Sequence, residues 1–195
     1  NFKKIDIKNL PELEQYILHK IFILNENFHK NFDNYTFHNL YKELLNFCTV
    51  ELSAFYFDIR KDTLYCENIN SEKRKNCITI LNILLECLLK WFAPILSFTT
   101  EEIFSLVSKN NKDSIHLKKF VEIPQNWKNE NLNQKWEKLK KIRDVANISI
   151  ESKRSNKEIG SSLEANIKIK LKKDLYDIAK NFDFAELCIT SAADV

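Results

Sequence analysis

Apolar residues recur at helical spacing through the first hundred positions of the chain. One set advances in steps of three and four, which places its members on a single helical face: Leu13, Ile17, Ile21, Leu24, Phe28 and Phe32. Pro11 suits the first turn of that helix, where no backbone hydrogen bond is lost. The pattern predicts a first helix over residues 11–33.

A second apolar stripe follows Thr36, which we expect to cap a helix with its hydroxyl. The inner residues of this helix are Phe37, Leu40, Leu44, Phe47 and Phe55. Since the pattern continues without a turn signal, it predicts one long helix ending near residue 64.

Residues 77–93 are apolar almost throughout. The polar exceptions form one narrow stripe at steps of three and four: Thr79, Asn82, Glu86 and Lys90. A membrane span is the competing interpretation, but these side chains would cost on the order of several kcal/mol in lipid. We therefore expect the third helix to be the centre of a soluble bundle.

The run WFAPILSFTTEEIF, residues 91–104, interrupts that helix at Pro94. Proline lacks an amide hydrogen and clashes with the preceding turn, so the helix should end near Ala93. Thr99 and Glu102 have the spacing of a capping box that would open a short new helix. The residues expected to pack on the bundle are Phe98, Ile103, Phe104 and Val107.

The pattern changes in the last third of the chain. Periodicity fails over 110–133, where KNNKD predicts a polar loop and IHLKKFVEIP an extended stretch. A helix with an inner face of Trp136, Leu139, Ile142, Arg143 and Ala146 then extends to about residue 157. Alternation of isoleucine or leucine with lysine over 167–172 predicts a strand, followed by a helix over 173–181 and a second strand in AELCIT, 185–190.

Together these elements predict a mainly α fold. Its parts are a helical bundle over 1–110, an extended connection over 111–132, and a long helix with a small α/β subdomain over 133–195. The chain contains no methionine, so we expect a fragment of a longer protein.

The composition and the residue spacing exclude several kinds of binding and catalytic site. A chain with one glycine has neither G-x-G-x-x-G nor a phosphate-binding loop, which need several glycines. The four histidines lack the spacing of zinc ligands, and Glu101 and Glu102 point about 100° apart on a helix. Ser161 and Ser162 have no neighbouring histidine. We predict no catalytic or metal site in this chain.

The five cysteines form no C-x-x-C pair, which is typical of buried free thiols in a reducing cytoplasm. The N-terminal residues lack an apolar signal core, so neither export nor a membrane is expected. Net charge is +3, which permits a polyanionic partner without requiring one.

Basic residues interleaved with aromatics are the remaining candidate chemistry. Lysine and arginine can neutralise phosphates while aromatics stack on unpaired bases. A basic run also lines the helix over 135–143. Taken alone, this pattern favours an ordinary solvated helix face. The candidates for nucleic-acid contact are Tyr56, Arg60, Lys61, Lys73 and Arg74.

Three segments carry a family resemblance. Residues 93–103, APILSFTTEEI, resemble the A-P-[IL]-x-x-F-[ST]-x-E-E-[IL] corner in the anticodon-binding helical domain of class I aminoacyl-tRNA synthetases for isoleucine, valine, leucine and methionine. NFCTVELSAFYFDIRKDTLYC, 46–66, is similar to the isoleucyl family's L-S-x-F-Y-[FL]-D-[IV]-x-K-D-x-[LI]-Y segment. Residues 142–169 resemble the same family's long helix, G-S-[SA]-L-E-A turn and strand.

The resemblance implies an anticodon-binding piece of an isoleucyl-tRNA synthetase. It implies a monomeric fragment that binds tRNA-Ile and positions it for ATP- and magnesium-dependent aminoacylation elsewhere in a cytoplasmic parent protein. The family's H-I-G-H and K-M-S-K-S motifs are absent here, as is the cysteine-rich zinc module of many members. No cofactor is therefore expected in this fragment. The alternatives are the equivalent valyl-tRNA synthetase domain and a helical protein-interaction scaffold that binds no RNA.

Overall fold

A computed structural model describes residues 2, 5–108 and 113–195. The polar loop expected at KNNKD lies outside these residues except for Asp113. The chain divides into two compact units, Asn1–Asn129 and Glu130–Val195, and the boundary falls inside the connection expected over 111–132. The mainly α fold predicted from the sequence is confirmed.

The first helix, α1 (Glu12–Asp33), is confirmed and is the most enclosed helix of the first unit. The expected apolar stripe is buried or half-buried, and the opposite side contributes Tyr16, Leu18 and Phe22 to the core. Polar residues of α1 are also buried: Glu14, His19 and Asn25. The helix is therefore covered on nearly all sides.

The second predicted helix runs without a break from Phe37 to Cys66. It consists of α2 (Phe37–Asn46), a π-helical segment (Phe47–Phe57) and α3 (Asp58–Cys66). The capping role of Thr36 is wrong, because its hydroxyl instead donates to Asn31, 2.7 Å from Oδ1. The prediction that Phe37 faces the core is also wrong, because its side chain is 40% exposed and packs edge-on against Phe32.

The π-helical segment changes which residues face inward. A π turn holds more residues than an α turn, and long π stretches are rare. Adjacent pairs recur on the buried side every four residues, through the segment and into α3: Glu51 with Leu52, Phe55 with Tyr56, and Ile59 with Arg60. The unusual winding thereby brings charged residues into the core beside apolar ones.

Helix α4 (Glu72–Phe92) packs against α1, α2, α3 and the helix that follows Pro94, which agrees with its expected place at the centre of the bundle. Its face carrying Ile78 and Leu85 is about 40% exposed. The helix ends next to Pro94, as predicted.

Helix α5 (Ser97–Val107) follows after a short turn. It begins two residues before Thr99, so the predicted capping box is wrong: Thr99 lies inside the first turn. This start also changes the buried face. Phe104 packs on Leu89, Ala93 and Ile115 as expected, whereas the other expected core residues are exposed: Phe98 at 93%, Ile103 at 38% and Val107 at 52%.

Residues 113–129 return across α1, with short 3-10 turns at Ile115–Leu117 and Gln125–Trp127. The ring of Phe120 lies 4.9 Å from that of Phe28, and Trp127 is buried. The backbone N–H of Asn129 donates to His19 Nδ1 at 3.0 Å. This segment closes the core of the first unit.

The second unit starts with α6 (Glu130–Ser155), which confirms the predicted helix. A two-stranded parallel sheet pairs β1 (Asn166–Lys168) with β2 (Ala192–Asp194), joined through α7 (Lys173–Ala179) and α8 (Phe184–Cys188). The predicted strand over 185–190 is wrong. Asp183 Oδ1 accepts from the N–H of Glu186 and caps a short helix there, which Ile189 ends in a left-handed conformation.

Candidate functional site

A bidentate ion pair lies in the core of the first unit. Arg60 donates from Nε to Glu14 Oε1 at 2.6 Å and from Nη2 to Glu14 Oε2 at 2.7 Å. Both side chains are almost fully buried. Two parallel charge-assisted bonds fix distance and orientation, so the pair sets the position of α3 on α1.

Tyr56 adjoins this pair. Its hydroxyl lies 3.4 Å from Glu14 Oε1 and 3.5 Å from Cys77 Sγ, which links the pair to α4. Burial, and then the Glu14 carboxylate, raise the pKa of Tyr56 well above its usual range, while burial raises the pKa of the Cys77 thiol. These groups stay protonated at neutral pH and serve as packing and hydrogen-bonding groups.

This arrangement corrects two of the predicted contacts. Tyr56 and Arg60 were expected to touch nucleic acid, but Tyr56 is 0% and Arg60 3% exposed. A side chain without surface cannot reach an external phosphate or base, so both residues belong to the core. Their place beside Phe55 and Ile59 on the inner side of the helix was the available signal.

The other three candidates flank the turn between α3 and α4. Lys61 is exposed and pairs with Asp58 at 3.0 Å. Lys73 and Arg74 are half-buried in the first turn of α4. Tyr65 stands one helical turn after Lys61 and is 87% exposed. This surface combines cations with an aromatic side chain, and nucleic-acid contact by Lys61, Lys73 and Arg74 stays a prediction.

A groove of about 790 Å³ lies in the second unit, and we call it the α6 groove. One wall is a single face of α6, formed by residues at alternating steps of three and one: Lys138, Lys141, Ile142, Val145, Ala146, Ser149, Ile150 and Lys153. The other wall consists of residues 164–171 with Ile159 and Leu175.

The α6 groove has an apolar floor and a basic rim. Isoleucine, leucine and valine form most of the floor, and five lysines line the groove: Lys138, Lys141, Lys153, Lys168 and Lys170. The two glutamates of the groove already have partners. Glu158 accepts from Lys153, and Glu164 accepts from the backbone N–H of Gly160 at 3.0 Å. Because five lysines outnumber two glutamates, the groove carries net positive charge.

The sequence predicts both walls of the α6 groove but does not predict that they lie side by side. The basic run over 135–143 ends in Arg143, which is buried and donates from Nε to the carbonyl of Leu187 at 2.8 Å. The alternation over 167–171 does place lysines on the exposed side and apolar residues on the half-buried side.

Neither a metal centre nor a membrane span was found in the part of the chain that the structure describes. Residues 2, 5–108 and 113–195 contain no group of three or more histidine, cysteine, aspartate or glutamate side chains suited to hold a metal ion. Over the same ranges, none of the helices combines the length and apolar character needed to cross a bilayer.

Known proteins resemble this chain along its whole length. A family model described as the anticodon-binding domain of tRNA ligase matches residues 14–169. An isoleucine–tRNA ligase of Pelagibacter ubique is 62% identical over 193 residues, which is 99% of this chain and 21% of the relative.

More distant relatives carry the same name. An isoleucine–tRNA ligase of Agrobacterium fabrum is 44% identical over 196 residues, and one of Bartonella quintana is 40% identical over 194. These matches cover 100% and 99% of this chain, and 20% of each relative. The chain spans about one fifth of the length of the curated relatives that it matches.

Proposed function

Because the chain belongs to the anticodon-binding domains of tRNA ligases, we propose that it binds the anticodon region of tRNA-Ile. The observation that carries the proposal is the 62% identity to an isoleucine–tRNA ligase over 99% of the chain. The binding chemistry would come from exposed lysines that contact phosphates and from side chains that receive unpaired bases.

The wider role rests on the same relatives. We propose that the chain is one part of an isoleucine–tRNA ligase, which joins isoleucine to tRNA with ATP and magnesium in other domains. In that role the chain holds the tRNA so that its distant acceptor end reaches the catalytic domain. A cytoplasmic setting is consistent with the free cysteines, which a reducing compartment maintains.

A titration with tRNA-Ile tests this function. We expect the 195-residue chain to bind one tRNA-Ile per chain, with an affinity that falls as salt rises because lysine–phosphate contacts release counterions. The matched competitors are tRNA-Val and a tRNA-Ile with a scrambled anticodon loop, and both should bind more weakly.

Two results would contradict the proposal in different ways. Equal affinity for tRNA-Ile and tRNA-Val would remove the isoleucine specificity and restore the valyl alternative. No measurable binding to any tRNA would leave the protein-interaction scaffold as the better explanation.

A further inference from the structure

The core of the first unit holds one connected set of hydrogen-bonding side chains, which we call the buried network: Glu14, Tyr56, Arg60 and Cys77. This network reaches both helices that carry the remaining candidates for nucleic-acid contact. Arg60 is on α3, where the next residue, Lys61, is exposed. Cys77 is on α4, one helical turn after Lys73 and on the same face. A shift of the network would therefore move candidate cations on both helices.

The buried network fixes how α3 lies against its neighbours. The two parallel bonds of the Glu14–Arg60 pair, 2.6 and 2.7 Å long, set the angle as well as the distance between α1 and α3. The Tyr56 hydroxyl extends the contact to α4. The surface pair of Lys61 with Asp58 joins two residues of the same helix, so it cannot set the position of α3 against α4.

We propose that Glu14 and Arg60 are positioning residues for tRNA binding, because they set the separation between Lys61 on α3 and Lys73 on α4. Cations on two helices can contact one RNA backbone together only when their separation matches the spacing of its phosphates. Neither Glu14 nor Arg60 reaches the RNA itself, because both side chains are almost fully buried. The inference rests on the proposed function and on the predicted contacts of the two lysines.

The double variant Glu14→Leu with Arg60→Met separates positioning from stability. It removes both charges while keeping apolar side chains of similar size in the core, a change that is often close to neutral for stability. With the variant fully folded by circular dichroism, we expect roughly fivefold weaker binding of tRNA-Ile at low salt. The slope of log affinity against log salt should fall by about 1, because one phosphate contact is lost.

Two further variants show whether lower stability alone weakens binding. Tyr56→Phe removes the hydroxyl that links the buried network to α4 but leaves the Glu14–Arg60 pair in place. It should weaken tRNA-Ile binding by a smaller factor. The matched control is Trp127→Phe, in the segment that covers α1, which should lower the thermal midpoint and keep the wild-type affinity and salt slope.

A double-mutant cycle identifies the residues through which the pair acts. Lys61→Ala with Lys73→Ala removes the cations that the buried network positions. In that background, Glu14→Leu with Arg60→Met should cause no further loss of tRNA-Ile affinity, since residues that act as one unit are not additive.

The outcomes separate the two proposals. If the wild type binds tRNA-Ile and Glu14→Leu with Arg60→Met binds equally well with the same salt slope, the pair is a purely structural contact while the proposed function stands. An equal loss of affinity with and without the two lysines would also overturn the inference, because the pair would then act through other residues. If the wild type binds no tRNA, the proposed function fails and the positioning inference fails with it.

Discussion

The Glu14–Arg60 pair shows how one residue contact controls the first unit. Its two bonds join α1 to α3 across 46 positions of sequence, and Tyr56 extends the contact to Cys77 on α4. Buried charges are tolerated only when both partners are present, since each lost much of its hydration on folding. The pair therefore makes the packing of three helices depend on single side chains.

Removing one partner of the Glu14–Arg60 pair should strongly destabilise the first unit. Glu14→Ala leaves Arg60 charged and buried, so we expect a loss of about 3–5 kcal/mol in the free energy of unfolding. Urea denaturation followed by circular dichroism measures this. The matched control is Glu72→Ala, which breaks the exposed Lys75–Glu72 pair and should change stability by at most about 1 kcal/mol.

The double variant Glu14→Leu with Arg60→Met distinguishes charge from volume. Replacing both charges with apolar side chains of similar size is often close to neutral. Stability of the double variant near that of the wild type would attribute the loss to the orphaned guanidinium. An equally large loss in the double variant would instead contradict that mechanism.

The π-helical segment is the feature that makes this pair possible at the level of elements. It lies between α2 and α3 and sets the rotation at which α3 continues. Since a residue added to or removed from a helix turns everything after it by about 100°, the length of the segment fixes which side chains of α3 face α1.

Deleting Ser53, an exposed residue of this segment, tests that dependence. The deletion should rotate Arg60 out of the core and lower the thermal midpoint at least as far as Glu14→Ala does. Deleting Asn70, in the turn between α3 and α4, is the control and should lower it less, because a loop absorbs a changed length. A greater loss from the Asn70 deletion would show that register in the segment is unimportant.

Long periodic elements were predictable from the sequence, whereas short ones were not. α1, α4 and α6 each contain several turns of apolar spacing, and one helical face leaves little ambiguity. AELCIT is too short to show a clear periodicity, and the Asp183 cap stabilises a helix there instead of a strand. The predicted start of α5 was wrong for a similar reason. Ser97 and Thr99 are both acceptable near a helix start, and only the packing of the helix determines which of them begins it.

The candidate site was predicted only in part. A basic residue on a helix has the same sequence pattern whether it faces water or a buried carboxylate, so Arg60 was mistaken for a surface cation. Its partner, Glu14, lies in another helix and leaves no local signal. The α6 groove likewise requires α6 and residues 164–171 to meet, which periodicity cannot show.

The whole molecule consists of two units that differ in how completely each fills its core. The first is closed by residues 113–129, which bury Val121 and Trp127. The second has a compact end built from Trp136, Phe184 and Leu187, but its α6 groove stays open to solvent. We infer that the two units differ in independent stability.

Separate expression of residues 1–129 and 130–195 tests that difference. The first fragment should be strongly helical and melt in one cooperative transition, because its core includes the residues that close it. The second should be marginally stable, since small domains with incompletely covered cores have little stability to lose. Thermal melts of both fragments and the intact chain measure this. A cooperative, more stable second fragment would contradict the inference.

The return of residues 113–129 over α1 also means that this helix stays partly uncovered in the nascent chain. Helix α1 is synthesised before the residues that cover it, which include Trp127 and Asn129, whose N–H bonds to His19. At ordinary rates of translation, the stretch between Asp33 and Trp127 takes roughly 5–20 s to emerge. Ribosome speed over that stretch, more than the finished contacts, sets how long this face of α1 is open to chaperones and to other nascent chains.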